Sequence, residues 1–153
     1  MAMTQRRSRF QSGFTNLELL LILVIIAVLG TLVFTTRAGV QQNKRNSERQ
    51  TDIKELRDGL EGYFAANNRY PTLNELNNAT WRTTHLKSLE GDVFKDPSSS
   101  KDQFVSTPQV NAYTYSVTSV SGTPCDNDKN PCTQYTLTAT LEGGSSYTKS
   151  NLN

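Results

Sequence analysis

The chain has 153 residues, a length typical of one domain, and its 16 Lys and Arg against 14 Asp and Glu give a net charge of +2 at pH 7. Three of the bases, Arg6, Arg7 and Arg9, lie within the first nine residues, so the remainder lacks the concentrated cationic face that binding to nucleic acid requires. The single histidine, two cysteines and missing Gly-Lys-Ser/Thr loop leave no catalytic constellation, and we predict a protein that is not an enzyme.

The N-terminal segment combines a short basic stretch, residues 1–13, with an apolar block that ends at Phe34. Counted from Leu19 the block would form roughly 24 Å of helix, and counted from Phe14 roughly 31 Å, against a membrane hydrocarbon core of about 30 Å. Counted from Phe14, the apolar segment includes Glu18, whose carboxylate would then lie within the hydrocarbon region. The basic residues before the block predict that residues 1–13 stay in the cytoplasm and that the rest of the chain crosses the membrane.

Three hypotheses account for this segment. It could be an uncleaved signal anchor, or a conventional signal peptide cleaved near Thr36-Arg37-Ala38. It could instead be cleaved after Gly13, so that the new α-amine of Phe14 meets the Glu18 carboxylate of a neighbouring copy. Only the third gives the carboxylate in the apolar helix a partner of opposite charge.

The run Gly-Phe-Thr-Asn-Leu-Glu-Leu-Leu at residues 13–20 resembles the class III leader of type IV prepilins and pseudopilins. The resemblance implies that a prepilin peptidase cuts after Gly13, that Phe14 becomes the methylated N-terminus, and that Glu18 is the assembly glutamate. It also implies three further partners: other copies of the chain, an inner-membrane platform and an assembly ATPase.

The middle of the chain carries the pattern of a helix with one apolar face. Ile53, Leu56, Leu60 and Tyr63 recur at helical spacing, and we predict a helix from about Phe14 to Asn67. Two glycines in the same stretch, Gly59 and Gly62, predict close packing against a sheet. The predicted segments are a leader, an apolar transmembrane or filament-core half-helix, an amphipathic half-helix and a globular α+β head: residues 1–13, 14–36, 37–68 and 69–153.

Short elements follow the helix. Pro71 ends it, and Thr72-Leu73-Asn74-Glu75 is a capping box that predicts a second helix to about Asn78, with a loop over residues 81–89. Alternating β-branched or aromatic residues predict strands over residues 113–118 and 135–141, and a third near 145–149 after the Gly143-Gly144 turn. The expected fold class is α+β, type IV pilin-like, with a long N-terminal helix packed on a small antiparallel sheet.

Two cysteines bracket the eight-residue stretch 125–132. In a segment expected outside the cytoplasm, Cys125 and Cys132 predict a disulfide, and the missing further ligands argue against zinc. Asp126 and Asp128 are candidate oxygen ligands for Ca²⁺, although Asx-rich loops also form without an ion. Some major pseudopilins use calcium in a C-terminal loop, so the resemblance favours the idea slightly. No other cofactor is expected.

Taken together, these features favour a structural pilin subunit that is a single-pass membrane protein before assembly and then polymerises into a type IV pilus on the bacterial surface. Such a filament would serve adhesion, twitching motility or DNA uptake. The alternative within the family is the major pseudopilin of a type II secretion or competence system. The alternative from another class is a membrane-anchored or secreted binding module. No sequence-specific nucleic acid partner is expected.

Overall fold

A computed structural model describes Gly13 and residues 15–152, without the side chains of residues 32–38. The leader residues 1–12 and Phe14 therefore lie outside the described residues. The helices are α1 (Asn16–Asn67), α2 (Leu73–Asn77) and α3 (Ala79–His85), and the strands are β1 (Tyr113–Thr118), β2 (Gln134–Thr140) and β3 (Ser146–Ser150). A short 3₁₀ helix, Gly91–Phe94, lies between α3 and β1. The chain divides into two compact units, an N-terminal unit of residues 1–40 and a head unit of residues 41–153.

The part of α1 within the head unit is amphipathic, as predicted. Ile53, Leu56 and Leu60 are fully buried, and Tyr63 is nearly so. The helix ends where Asn68 adopts a left-handed conformation (φ 53°), a common way for a helix to stop, shortly before Pro71. The predicted end of the helix at Asn67 is confirmed.

The second helix forms because its first turn is capped on both sides. The backbone N–H of Glu75 donates to the Thr72 hydroxyl (3.2 Å), and the Thr72 N–H donates to a Glu75 carboxylate oxygen (2.7 Å), which confirms the capping box. The predicted loop at residues 81–89 is wrong over its first part. Residues 79–85 form α3, because the Asn78 side chain accepts the Trp81 N–H (3.1 Å) and so starts a new helix directly after α2.

The three strands form one antiparallel sheet in the order β1-β2-β3. Tyr115 lies opposite Leu137, and Ala139 lies opposite Tyr147. Gly143 and Gly144 both have positive φ values (101° and 88°) in the turn between β2 and β3, a conformation that favours glycine. The predicted meander and its glycine turn are confirmed.

One core cluster within the head unit joins α1 to the sheet. Ile53 and Leu60 belong to the same buried cluster as Tyr113, Tyr115 and Leu137. The α+β, pilin-like class predicted from the sequence is therefore confirmed. The packing predicted for two glycines is wrong: a Cβ atom at Gly59 would lie 2.6 Å from Leu89, in the loop after α3 and not in the sheet, and a Cβ atom at Gly62 would have no neighbour within 4 Å.

Candidate functional site

The first turn of α1 carries Glu18, the assembly glutamate that the leader motif predicts. The Thr15 hydroxyl accepts the backbone N–H of Glu18 (3.2 Å), and the Thr15 carbonyl accepts the N–H of Leu19 (3.1 Å). Thr15 therefore caps the helix. The spacing Thr15-x-x-Glu18 is a capping signal that our reading of the sequence overlooked, and it adds a local role to this segment.

Glu18 lies in the first turn of α1 with its side chain exposed. A carboxylate at this position is favoured by the helix dipole, whose positive end is the N-terminus. Gly13 is also exposed. Because Phe14 lies outside the described residues, cleavage after Gly13 and pairing of the Phe14 amine with Glu18 both stay predictions.

The N-terminal unit exposes an almost unbroken set of large apolar side chains. Leu17 is 82% exposed, Leu20 is 64% exposed and even Ile22, the least exposed of the set, is 40% exposed. The set is Leu17, Leu19, Leu20, Leu21, Ile22, Leu23, Val24, Ile25, Ile26, Val28 and Leu29. A helix that is apolar on every side needs an apolar environment around it, because exposed patches of this size are unfavourable in water. Within the described part of the chain, no helix has both the length and the hydropathy that a membrane crossing requires.

The cysteine loop, residues 125–132, lies in the head unit and contains the disulfide that the sequence predicts. The sulfur atoms of Cys125 and Cys132 are bonded, and Cys132 is fully buried. The two candidate calcium ligands, Asp126 and Asp128, are exposed in this loop. Among the residues that the structure describes, no group of three or more His, Cys, Asp or Glu side chains is arranged to hold a metal ion.

A buried charge cluster that sequence reasoning missed lies beside α1. The Arg49 guanidinium donates to both carboxylate oxygens of Asp96 (2.7 and 3.0 Å), to the Ser98 hydroxyl (2.9 Å) and to Glu142 (3.1 Å). The side chains of Arg49 and Asp96 are each 1% exposed. The hydrogen bond from Arg45, together with that from Arg49, lowers the pKa of Glu142 to about 2. The cluster ties α1 to two loops that are 47 and 93 residues away in the chain.

Further acid–tyrosine contacts line the same helix. The Tyr113 hydroxyl donates to Asp52 (2.5 Å), and burial raises the pKa of Asp52 to about 6 despite that hydrogen bond. Glu61 accepts from the hydroxyls of both Tyr70 (3.0 Å) and Tyr135 (2.9 Å), and burial together with these bonds raises the pKa of both tyrosines. These acid–tyrosine contacts connect α1 to β1, to β2 and to the turn after the helix within the head unit.

Comparison with known proteins identifies relatives for part of the chain. The chain is 38% identical over 66 residues to the type II secretion system core protein G of Aeromonas hydrophila, which is 43% of this chain and 46% of that protein. It is 37% identical over 65 residues (42% and 45%) to the protein of the same name from Escherichia coli strain K12. It is 31% identical over 70 residues (46% and 48%) to that of Vibrio cholerae serotype O1.

The chain thus spans less than half the length of each of these curated relatives. No protein-family model matches the chain. No solved structure matches it either. The relatives are major pseudopilins, and they confirm the resemblance drawn from the leader motif: the chain is similar to the type IV pilin-like family.

Proposed function

We propose that this chain is a pilin-like filament subunit, and specifically a major pseudopilin of a type II secretion system. The observation that carries the proposal is the exposed apolar helix of the N-terminal unit, which begins with the capped turn around Glu18. Its exposed side chains, from Leu17 to Leu29, would be buried when copies of the helix bundle together. Bundling needs no catalysis, so the proposed role is structural.

The relatives favour the pseudopilin over the surface pilus that the sequence suggested first. The relatives from Aeromonas hydrophila, Escherichia coli and Vibrio cholerae are each named as core protein G of the type II secretion system. The proposed life cycle follows from that role. The precursor is held in the membrane by its apolar segment, trimmed after Gly13 by a prepilin peptidase, and polymerised by a platform and an assembly ATPase.

The first experiment is intact mass and N-terminal sequencing of the chain from its own host. A chain that begins at Phe14 and carries one extra methyl group supports prepilin processing. A chain that begins at Met1 or near Gly39 contradicts it and makes a membrane-anchored or secreted binding module the better hypothesis. Deletion of the gene then separates the two filament roles: loss of exported proteins from the medium supports the pseudopilin, whereas loss of long surface filaments supports the pilus.

The assembly role of Glu18 is tested with Glu18→Ala and a matched variant, Thr15→Ala. The cap uses the backbone N–H of Glu18, so Glu18→Ala keeps the cap and loses only the carboxylate, whereas Thr15→Ala loses the cap and keeps the carboxylate. We expect Glu18→Ala to be processed and retained in the membrane but absent from filaments, because the Phe14 amine loses its partner. Thr15→Ala should assemble, with at most a loss of about 1 kcal/mol in helix stability. Normal filament yield from Glu18→Ala would contradict the pairing.

A further inference from the structure

The cysteine loop is hydrogen-bonded to both backbone groups of Tyr70, a residue of the turn that follows α1. The Tyr70 N–H donates to the Cys132 carbonyl (2.7 Å), and the Asn127 side-chain amide donates to the Tyr70 carbonyl (2.9 Å). The same Asn127 side chain accepts the Cys132 N–H through its oxygen (2.8 Å). Both backbone groups of Tyr70 are therefore bonded to the loop. Because Tyr70 is fully buried, its backbone N–H and carbonyl cannot bond to water, and the bonds to the loop satisfy them instead.

The Asp126 carboxylate is also committed to the protein. One of its oxygens accepts the backbone N–H groups of Asp128, Lys129 and Asn130, each at 3.0 Å, and these bonds lower the pKa of Asp126. The Asn130 side chain in turn donates to the Pro124 carbonyl (2.8 Å). The Asp126 and Asn130 side chains thus bond backbone groups on both sides of the loop.

This arrangement does not fit a calcium site. Calcium binds six to eight oxygen atoms, several of them carboxylate oxygens. In this loop the Oδ1 atoms of Asp126 and Asn127 already accept protein N–H groups, and Lys129, a cation, directly follows the second candidate aspartate, Asp128, in the sequence. With these two oxygens already accepting N–H groups, the loop offers fewer side-chain oxygens to a cation than its Asx-rich sequence suggests.

We propose that the cysteine loop is a metal-independent clasp, in which the Cys125–Cys132 disulfide and the Asn127 side chain hold the turn after α1 in place without a cation. The disulfide restricts the loop, and Asn127 connects it to Tyr70. Because disulfides form in oxidising compartments, the head unit would reach its full stability through oxidation and not through calcium. This stabilisation of the head unit does not depend on the proposed filament role.

The test is thermal unfolding of the full-length chain in detergent, followed by the fluorescence of Trp81, the single tryptophan, which contacts Tyr63 in the head unit. We expect the midpoint of the oxidised chain to be the same, within about 2 °C, in calcium chloride and in a calcium chelator. Reduction of the disulfide should lower the midpoint by about 10 °C under both conditions.

The Asn127 contacts are tested by Asn127→Gly, with Asn111→Gly as the matched control. Both residues have left-handed φ values (65° and 58°), which glycine adopts freely, so the backbone cost of the change is similar at the two positions. Asn111 is exposed, whereas Asn127 bridges Tyr70 and Cys132. We expect Asn127→Gly to lower the midpoint by about 5 °C or more beyond the control, with or without calcium.

Two results would overturn the proposal. One is equal midpoints for Asn127→Gly and Asn111→Gly, which would mean that the bridge does not hold the loop. The other is a rise on the order of 10 °C when calcium is added to the oxidised wild-type chain, if Asp128→Asn abolishes that rise. The Asp128 side chain is exposed, so this variant keeps the fold of the loop.

Discussion

Replacing Asp96 by Asn tests whether the buried charge cluster holds the head unit together. The amide has nearly the shape of the carboxylate but carries no charge, so the Arg49 guanidinium loses its main ionic partner. Arg49 keeps its bonds to Ser98 and to Glu142, whose side chain is 32% exposed and therefore partly screened by water. The change leaves the rest of the packing in place.

The size of the effect follows from burial. Breaking a buried ion pair by removing one partner costs about 3–5 kcal/mol, because the remaining charge stays buried without compensation. Glu142 offsets part of that cost, so we expect Asp96→Asn to lower the free energy of unfolding by about 3 kcal/mol. Typical domains are stable by only about 5–15 kcal/mol, so the loss is a large fraction of the total.

Urea denaturation of the full-length chain in detergent, followed by Trp81 fluorescence, measures the loss. The matched control is Asp58→Asn, which makes the same change in an exposed ion pair. The Asp58 side chain is 67% exposed and pairs with Arg57. We expect the control to change the free energy of unfolding by less than about 0.5 kcal/mol. If Asp96→Asn costs no more than the control, the argument from burial is wrong.

Two further predictions concern the same helix. Burial raises the pKa of Asp52 from 3.8 to about 6, so the folded chain binds this proton more tightly than the unfolded chain does. The free energy of unfolding should therefore fall by up to about 3 kcal/mol as the pH rises from about 4 to 6, and Asp52→Asn should remove this contribution, seen as a smaller pH slope in urea titrations. An unchanged slope would show that Asp52 keeps an ordinary pKa. For the glycines, Gly62→Ala should stabilise by about 1 kcal/mol through helix propensity, because no atom lies within 4 Å of the new Cβ. Gly59→Ala should be less stable than Gly62→Ala by about 1 kcal/mol or more, since its Cβ displaces Leu89; equal midpoints in thermal unfolding would contradict the close contact.

Local signals in the sequence were sufficient for most of the elements. The stripe of Ile53, Leu56 and Leu60 predicted the buried face of α1, and alternation predicted β1 and β2, because each pattern repeats with the period of its own backbone. The Gly143-Gly144 turn predicted the third strand. The Thr72 capping box predicted the start of α2. The first part of the 81–89 segment was predicted wrongly although Asn78 carries a helix-start signal, because one residue both ends α2 and starts α3.

Only some of the contacts in the candidate site and the cysteine loop could be predicted from the sequence. The leader motif singled out Gly13, Phe14 and Glu18 because these residues lie within one short run of the sequence, although their proposed roles in processing and assembly stay predictions. The cap of Glu18 by Thr15 was equally local and could have been found. By contrast, no spacing rule connects Asn127 with Tyr70, which lies 57 residues earlier.

The sequence by itself determined α1, α2 and the three strands, the apolar character of residues 19–29 and the pairing of two nearby cysteines. Each of these depends on neighbours within a few turns or within one loop. Only the tertiary structure decided that Arg49 is buried against Asp96 and that Asn127 of the cysteine loop bonds the backbone of Tyr70. Burial and hydrogen-bond partners depend on which distant segments of the chain pack together, and the spacing of residues within one segment does not predict that packing.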